Sequence, residues 1–213
     1  MGEDERRFST GVRFLDEEVG GGIPAGDIVA LTTPPDAQTE VLFTEIARVQ
    51  PTQYVSTVCA DEAELTEWIT PAGEATNDII TVSHATPADL LSDPTTLVEL
   101  VPSETCLIID PVNLLEQGEQ REYLALLDEI KARLRAVGSV GVLNCLETGT
   151  NPAHRPLTLK RADQVWQLNK RVDGGELTTT LLIAKARGND VPQEAIDIEL
   201  AEEVRIDTSR NIA

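Results

Sequence analysis

The stretch Phe8-Ser9-Thr10-Gly11-Val12-Arg13-Phe14-Leu15-Asp16-Glu17-Glu18-Val19-Gly20-Gly21-Gly22-Ile23-Pro24-Ala25-Gly26-Asp27 runs straight into the apolar Ile28-Val29-Ala30-Leu31. Successive glycines let a chain turn sharply and pass close to a neighbour, so this segment reads as a tight lead-in to a first buried strand over residues 27–33. The glycines precede the strand, whereas in a dinucleotide fingerprint they follow it. Downstream, short apolar runs alternate with helical stretches, the pattern of a parallel sheet covered by helices. A helix is expected over 39–49, with Val41, Leu42, Ile46 and Val49 on one face. Further strands are expected over 53–58, 78–83, 105–110 and 139–146. Helices are expected over 61–69, over 87–100 with a break at Asp93-Pro94, and over 119–137, where Leu124, Leu127, Ile130 and Leu134 share a face and Gly138 caps the end. Then the pattern turns β-rich: residues 163–169 and 177–187 flank Asp173-Gly174-Gly175, a hairpin signal, and 195–200 and 204–206 follow. The expectation is a single domain over 1–213 with a short charged tail at 1–7.

Hydrophobic residues make up 41% of the 213, which excludes disorder throughout. Acids outnumber bases 37 to 17, a net charge of −20 that repels nucleic acid unless a basic patch is present. The densest positive stretches, Arg6-Arg7, 131–135 and Lys160-Arg161, are short and set among acids, and read as solvated faces. Only 4 of the 17 bases are lysine, and an acidic, lysine-poor surface suits concentrated salt, where self-repulsion is screened. A salt-loving source is therefore expected. Cys59, Cys106 and Cys145 form no C-x-x-C pair, and each falls in or beside an apolar run, as buried thiols in a reducing compartment do. His84 and His154 lie at ligand spacing from neither a cysteine nor each other, so no metal is expected. The charged N-terminus is unlike a signal segment and no 18 apolar residues run together, so the expectation is a cytoplasmic protein without a membrane partner.

In its order and spacing, the lead-in resembles that of KaiC-like and RadA-like members of the RecA superfamily, where S-T-G, L-D and G-G-G-I-P-x-G precede the strand entering the phosphate loop. The resemblance extends from about Phe8 to Ile206 and implies an α/β, three-layer RecA-like domain, mainly parallel at its centre, with a C-terminal β-hairpin region. It also implies ATP and Mg²⁺ held by a glycine-rich loop ending in G-K-[ST]. The corresponding stretch here is Thr32-Thr33-Pro34-Pro35-Asp36-Ala37-Gln38-Thr39-Glu40. The two prolines match. The family's glycines become Thr33, Asp36 and Gln38, its lysine becomes Thr39, and its Mg²⁺-binding hydroxyl becomes Glu40. The lysine's charge-assisted hydrogen bond alone is worth about 1.5–3 kcal/mol. A carboxylate close to a phosphate adds repulsion of about 4 kcal/mol at an effective dielectric of 20, part of which molar salt screens. Asp36 and Glu40 also stand where acids cap a helix, so the loop is expected to be satisfied by its own carboxylates. The family's paired glutamates after the second strand align with Val58-Cys59, neither of which activates water; Asp61 and Glu62, one shift of register away, suit a helix start.

Other positions persist. Leu107-Ile108-Ile109-Asp110 resembles the Walker B strand, with Asp110 either at a Mg²⁺ position or simply accepting hydrogen bonds at the mouth of a buried strand. Ala162-Asp163-Gln164-Val165-Trp166-Gln167-Leu168 resembles the family's A-D-x-V-x-x-L strand. Lys185-Ala186-Arg187-Gly188 resembles K-x-R-G, whose Lys and Arg reach the nucleotide of an adjacent subunit. Lys185 and Arg187 share a strand face and either act in trans or protect an edge strand by charge. The expectation is a pseudo-ATPase of haloarchaeal type without cofactor or catalytic residue. It would regulate or scaffold by self-association or by docking onto an active relative. A weak ATPase using Asp110 with Asp61 or Glu62, binding ATP and Mg²⁺, and a recombinase-paralogue-like DNA repair accessory are the alternatives. The aromatic content of 3% offers no stacking platform for a ligand.

Overall fold

The computed structural model describes residues 6–70, 80–173, 176–188, 191–192, 194–200 and 204–206. The lead-in folds on itself before the sheet begins. β1 (Arg7–Phe8) is followed by the short helix α1 (Arg13–Glu18), and the chain returns so that β2 (Ile23–Pro24) pairs antiparallel with β1. Asp16 clamps the loop: its carboxylate accepts from Ser9 Oγ at 2.6 Å and from Thr10 N and Oγ1 at 2.7 Å, while its carbonyl accepts from Gly21 N at 2.6 Å. Gly11 and Gly22 are required here. Both have positive φ, +78° and +106°, and an added Cβ would lie 2.1 Å from Glu45 O and 2.4 Å from Phe8 O.

The sheet follows: β3 (Ile28–Thr33), α2 (Thr39–Val49), β4 (Thr52–Ser56), α3 (Glu62–Ile69), β5 (Ile80–His84), α4 (Pro87–Ser92), α5 (Thr95–Glu99), β6 (Cys106–Asp110), a 3₁₀ turn (Leu115–Gln117), α6 (Gln120–Val137) and β7 (Val140–Leu146). α7 (Arg155–Arg161), β8 (Gln164–Asp173), β9 (Glu176–Ala186), β10 (Ile196–Leu200) and β11 (Val204–Ile206) complete it. Nine strands lie in the order β11-β10-β9-β8-β3-β7-β6-β4-β5. Pairing is parallel from β8 through β5 and antiparallel from β8 to β11, so the RecA-like architecture with its C-terminal antiparallel region is present.

Two cores sandwich the sheet, and β3 shows why. Its side chains alternate faces, so Val29 and Leu31 enter the core under α1, α2 and α3, while Ile28 and Ala30 enter the core under α4, α5 and α6. Helix faces are shifted from the expected ones. α6 buries Tyr123 and Leu126 with Leu127, Ile130 and Leu134, leaving Leu124 half-buried, and α2 buries Phe43 and Ala47 with Leu42 and Ile46, leaving Val49 exposed. A helix under a sheet buries a broad stripe, wider than the apolar pattern alone indicates. Gly138 caps α6 in the left-handed conformation, φ 64°, and Asp93 ends α4 at the expected break. Asp78 and Ile79 of the expected third strand, and Gly174-Gly175 of the hairpin turn, lie outside the described residues, though β8 and β9 pair out to Asp173 and Glu176. Cys106 and Cys145 are buried, but Cys59 lies past the end of β4 and is half-buried, since that strand stops at Ser56.

Candidate functional site

A hydrogen-bonded row crosses four adjacent strands at their C-terminal ends. Thr33 Oγ1 at the end of β3 donates to Asn144 Oδ1 in β7 at 2.9 Å. Asn144 Nδ2 donates to Asp110 Oδ1 at 2.6 Å, and Tyr54 Oη from β4 donates to Asp110 Oδ2 at 2.5 Å. Each oxygen of Asp110 therefore accepts one hydrogen bond from a side chain of its own sheet. Burial is the dominant influence on this carboxyl and raises its pKa above the ordinary value, with the two hydrogen bonds pulling the other way. Tyr54 is pushed up as well, by burial first and the neighbouring Asp110 next. Neither Tyr54 nor Asn144 was expected at the site. Asn144 was findable in principle, because an amide inside the apolar run of β7 must have a buried partner.

An acid whose folded-state pKa exceeds 3.8 binds its proton more tightly folded than unfolded. Its contribution to stability therefore falls as pH rises from 3.8 through the raised value. Asp110→Asn keeps both hydrogen bonds, with Oδ1 accepting from Asn144 and Nδ2 donating to Tyr54. The variant is expected to melt at or above wild type at pH 7 and to lose that part of the pH dependence, as thermal melts between pH 4 and 8 will show. A markedly lower Tm at pH 7 would contradict this account.

Beside the row lies a cavity of about 660 Å³, lined by the expected phosphate-loop residues from Pro35 to Glu40 and by Tyr54, Asp110 and Asn144, with Val58, Trp68 and Leu146 as apolar wall. The loop turns through a hydrogen bond from Ala37 N to Pro34 O at 3.0 Å. The expected capping by Asp36 is not made. Gln38 occupies the N-cap of α2 without a side-chain cap bond, and Asp36 instead receives Lys170 Nζ from β8, on its carboxylate at 3.0 Å and its carbonyl at 2.8 Å. That hydrogen bond holds the Asp36 carboxyl below its ordinary pKa. Thr33 is wholly buried and Thr39 nearly so, while Glu40 in the first turn of α2 is exposed. Asp61 caps α3, accepting from Ala63 N at 3.0 Å and Glu64 N at 3.2 Å, and Val58 is exposed at the cavity rim.

Lys185 and Arg187 lie at the other end of the sheet. A bulge between Val165 and Trp166 shifts the register of β9, and Arg187 lies just beyond the strand. Lys185 Nζ donates to Leu159 O at 3.0 Å, to Lys160 O at 3.1 Å and to Ala162 O, closing the C-terminal end of α7 within its own chain. Burial, then the Arg187 charge, lowers its pKa. Arg187 is more exposed and stands 3.5 Å from Asp163, which also accepts from Ile28 N at 2.9 Å and pairs with Lys131.

Sequence reading also passed over a fully buried ion pair. Arg155 Nε donates to both oxygens of Glu116, at 2.8 and 2.9 Å, and Thr158 Oγ1 donates to Glu116 at 2.5 Å. The Arg155 guanidinium reaches on to Asn113 Oδ1 and Leu146 O, both at 3.2 Å, tying α7 and the 3₁₀ turn to the end of β7. These partners are 39 residues apart, so no local pattern marks them.

A central parallel sheet with helices on both faces, and a cavity at the strand ends beside the loop that follows β3, define an α/β domain of RecA-like fold. Residues 7–213 match the family described as a family of unknown function (DUF7125), and the chain belongs to that family. Among solved structures, a KaiC-like protein from the hyperthermophilic archaeon Pyrococcus horikoshii OT3 is similar with a TM-score of 0.75. The match covers 95% of this chain and 99% of that one at 18% identity, a likeness of fold. No curated protein matches significantly. Among the described residues no helix is long and apolar enough to cross a membrane.

Proposed function

We propose that this chain is a KaiC/RecA-like pseudo-ATPase that regulates or scaffolds through protein–protein assembly, with itself or with a catalytically competent relative. The observation that carries the reading is the state of Asp110. At the one position where the Walker B resemblance leaves a Mg²⁺ ligand, the carboxylate is largely buried and each of its oxygens accepts a hydrogen bond from its own sheet, from Tyr54 and from Asn144. The substitutions at Thr39 and Glu40 support it from the other side of the cavity, since neither supplies the cation a polyphosphate needs. The acidic, lysine-poor composition supports a haloarchaeal-type setting.

Calorimetric titration of ATP and ADP, with and without Mg²⁺ in molar KCl, tests the reading. No binding to this loop is expected at millimolar nucleotide, and micromolar affinity there would overturn it. The open cavity of about 660 Å³ favours one second reading, a weak ATPase. Thr39→Lys with Glu40→Thr separates the two: a working site gains affinity, whereas a dead one stays silent because the loop glycines are absent too.

A further inference from the structure

Two of the basic stretches that read as solvated faces meet in space. Lys131 and Arg135 on α6, Lys160 and Arg161 at the end of α7, and Arg187 just past β9 surround one pocket of about 490 Å³. Its apolar wall includes Ile28, the first residue of β3, so it opens at the opposite end of that strand from the Asp110 row. The expectation that no basic patch exists is thereby corrected: its residues come from three elements, and no window of sequence holds them together.

The charges in this pocket do not cancel. Arg161 is paired with Asp128 at 2.8 Å, Lys131 with Asp27 at 3.5 Å, and Lys131 and Arg187 share Asp163 beneath the wall, three acids against five bases. Among the described residues, the guanidinium of Arg135 and the ammonium of Lys160 have no hydrogen-bond or ion-pair partner. A local cationic excess is thus built into a chain of net charge −20. Half-buried Leu124 and Leu157 complete the apolar wall, and the volume falls within the ~300–1,000 Å³ of small-molecule sites.

We infer that this pocket binds a small organic anion, a carboxylate or phosphate head on an apolar body. The head would meet Arg135 and Lys160, and the body would cover the leucine wall. A polyanion or a second acidic chain brings its own repulsion against the rest of the surface, whereas a small anion responds mainly to the local charges. This site is separate from the phosphate loop and does not depend on whether that loop is dead.

Calorimetric titration of the full chain in KCl with hexyl phosphate and with hexanoate, hexanol serving as the neutral control, tests it. At least one anion is expected to bind where hexanol does not, and the stronger of the two identifies the head group. Arg135→Gln with Lys160→Gln is expected to weaken that binding by about tenfold or more. Any ATP heat lost in this variant and kept by wild type belongs to this pocket, since the residues of the phosphate loop are left intact. If the double variant does not fold, Lys160→Gln alone, at an exposed position, serves the same purpose. Failure of both anions to bind, or equal binding by wild type and the glutamine variant, overturns the inference.

Discussion

Glu116→Gln is expected to lower the stability of this domain by about 3–5 kcal/mol, because it leaves Arg155 as a buried charge without its carboxylate. For a chain of this size that corresponds to a fall in Tm of about 10 °C. Side-chain exposure decides the magnitude: Arg155 is 4% and Glu116 0% exposed, so water cannot replace the lost partner. Exposed pairs such as Arg13–Glu17, with 91% and 65% side-chain exposure, contribute about 0–1 kcal/mol by contrast. Replacing both partners, Glu116→Leu with Arg155→Met, should recover much of the loss, since an apolar pair carries no unpaired charge. Thermal melts of the two variants decide the matter. An unchanged Tm for Glu116→Gln would show that the pair is dispensable.

Gly11→Ala is the second large effect. The new methyl would stand 2.1 Å from Glu45 O, a backbone carbonyl of α2 that cannot swing aside, at a φ of +78°. Left-handed strain costs about 1–2 kcal/mol and overpacking about 1–3 kcal/mol more, so a total loss of about 2–5 kcal/mol is expected. Gly138→Ala is the internal control. Its φ is +64°, but an added Cβ meets nothing within 4 Å, so it should show the strain alone. Equal melting temperatures for the two alanine variants would remove the close approach of the lead-in to α2 as a source of stability.

That close approach gives the lead-in its physical meaning. Gly11 lets the segment lie against α2, Gly22 lets it cross Phe8, and Asp16 ties the resulting loop together. The loop following β3 is therefore held on a framework in which the lead-in packs against α2.

The sheet and its helices were legible because their signals are local: period-two apolar runs, the helical stripe of α6, the Gly138 cap and the glycine-rich lead-in each act within a few residues. The loop after β3 was placed for the same reason, and Pro35 to Glu40 do line the cavity at the strand ends. The hydrogen bonding of Asp110 was not legible. Its partners come from β4 and β7, which only the strand order β7-β6-β4 brings beside it. Asp36 likewise pairs with Lys170, 134 residues away, instead of capping the adjacent helix, because the long hairpin of β8 and β9 carries that lysine past the loop.

The amino-acid sequence by itself determined the α/β class, the lead-in and the chain order of the main strands, since all of these depend on near neighbours. Tertiary structure alone decided which charges meet. It gathered Lys131, Arg135, Lys160, Arg161 and Arg187 around one pocket, buried Glu116 against Arg155, and turned Lys185 onto the carbonyls of its own chain. Charges act through space, across distances that strand order and helix packing set, and sequence separation carries no record of them.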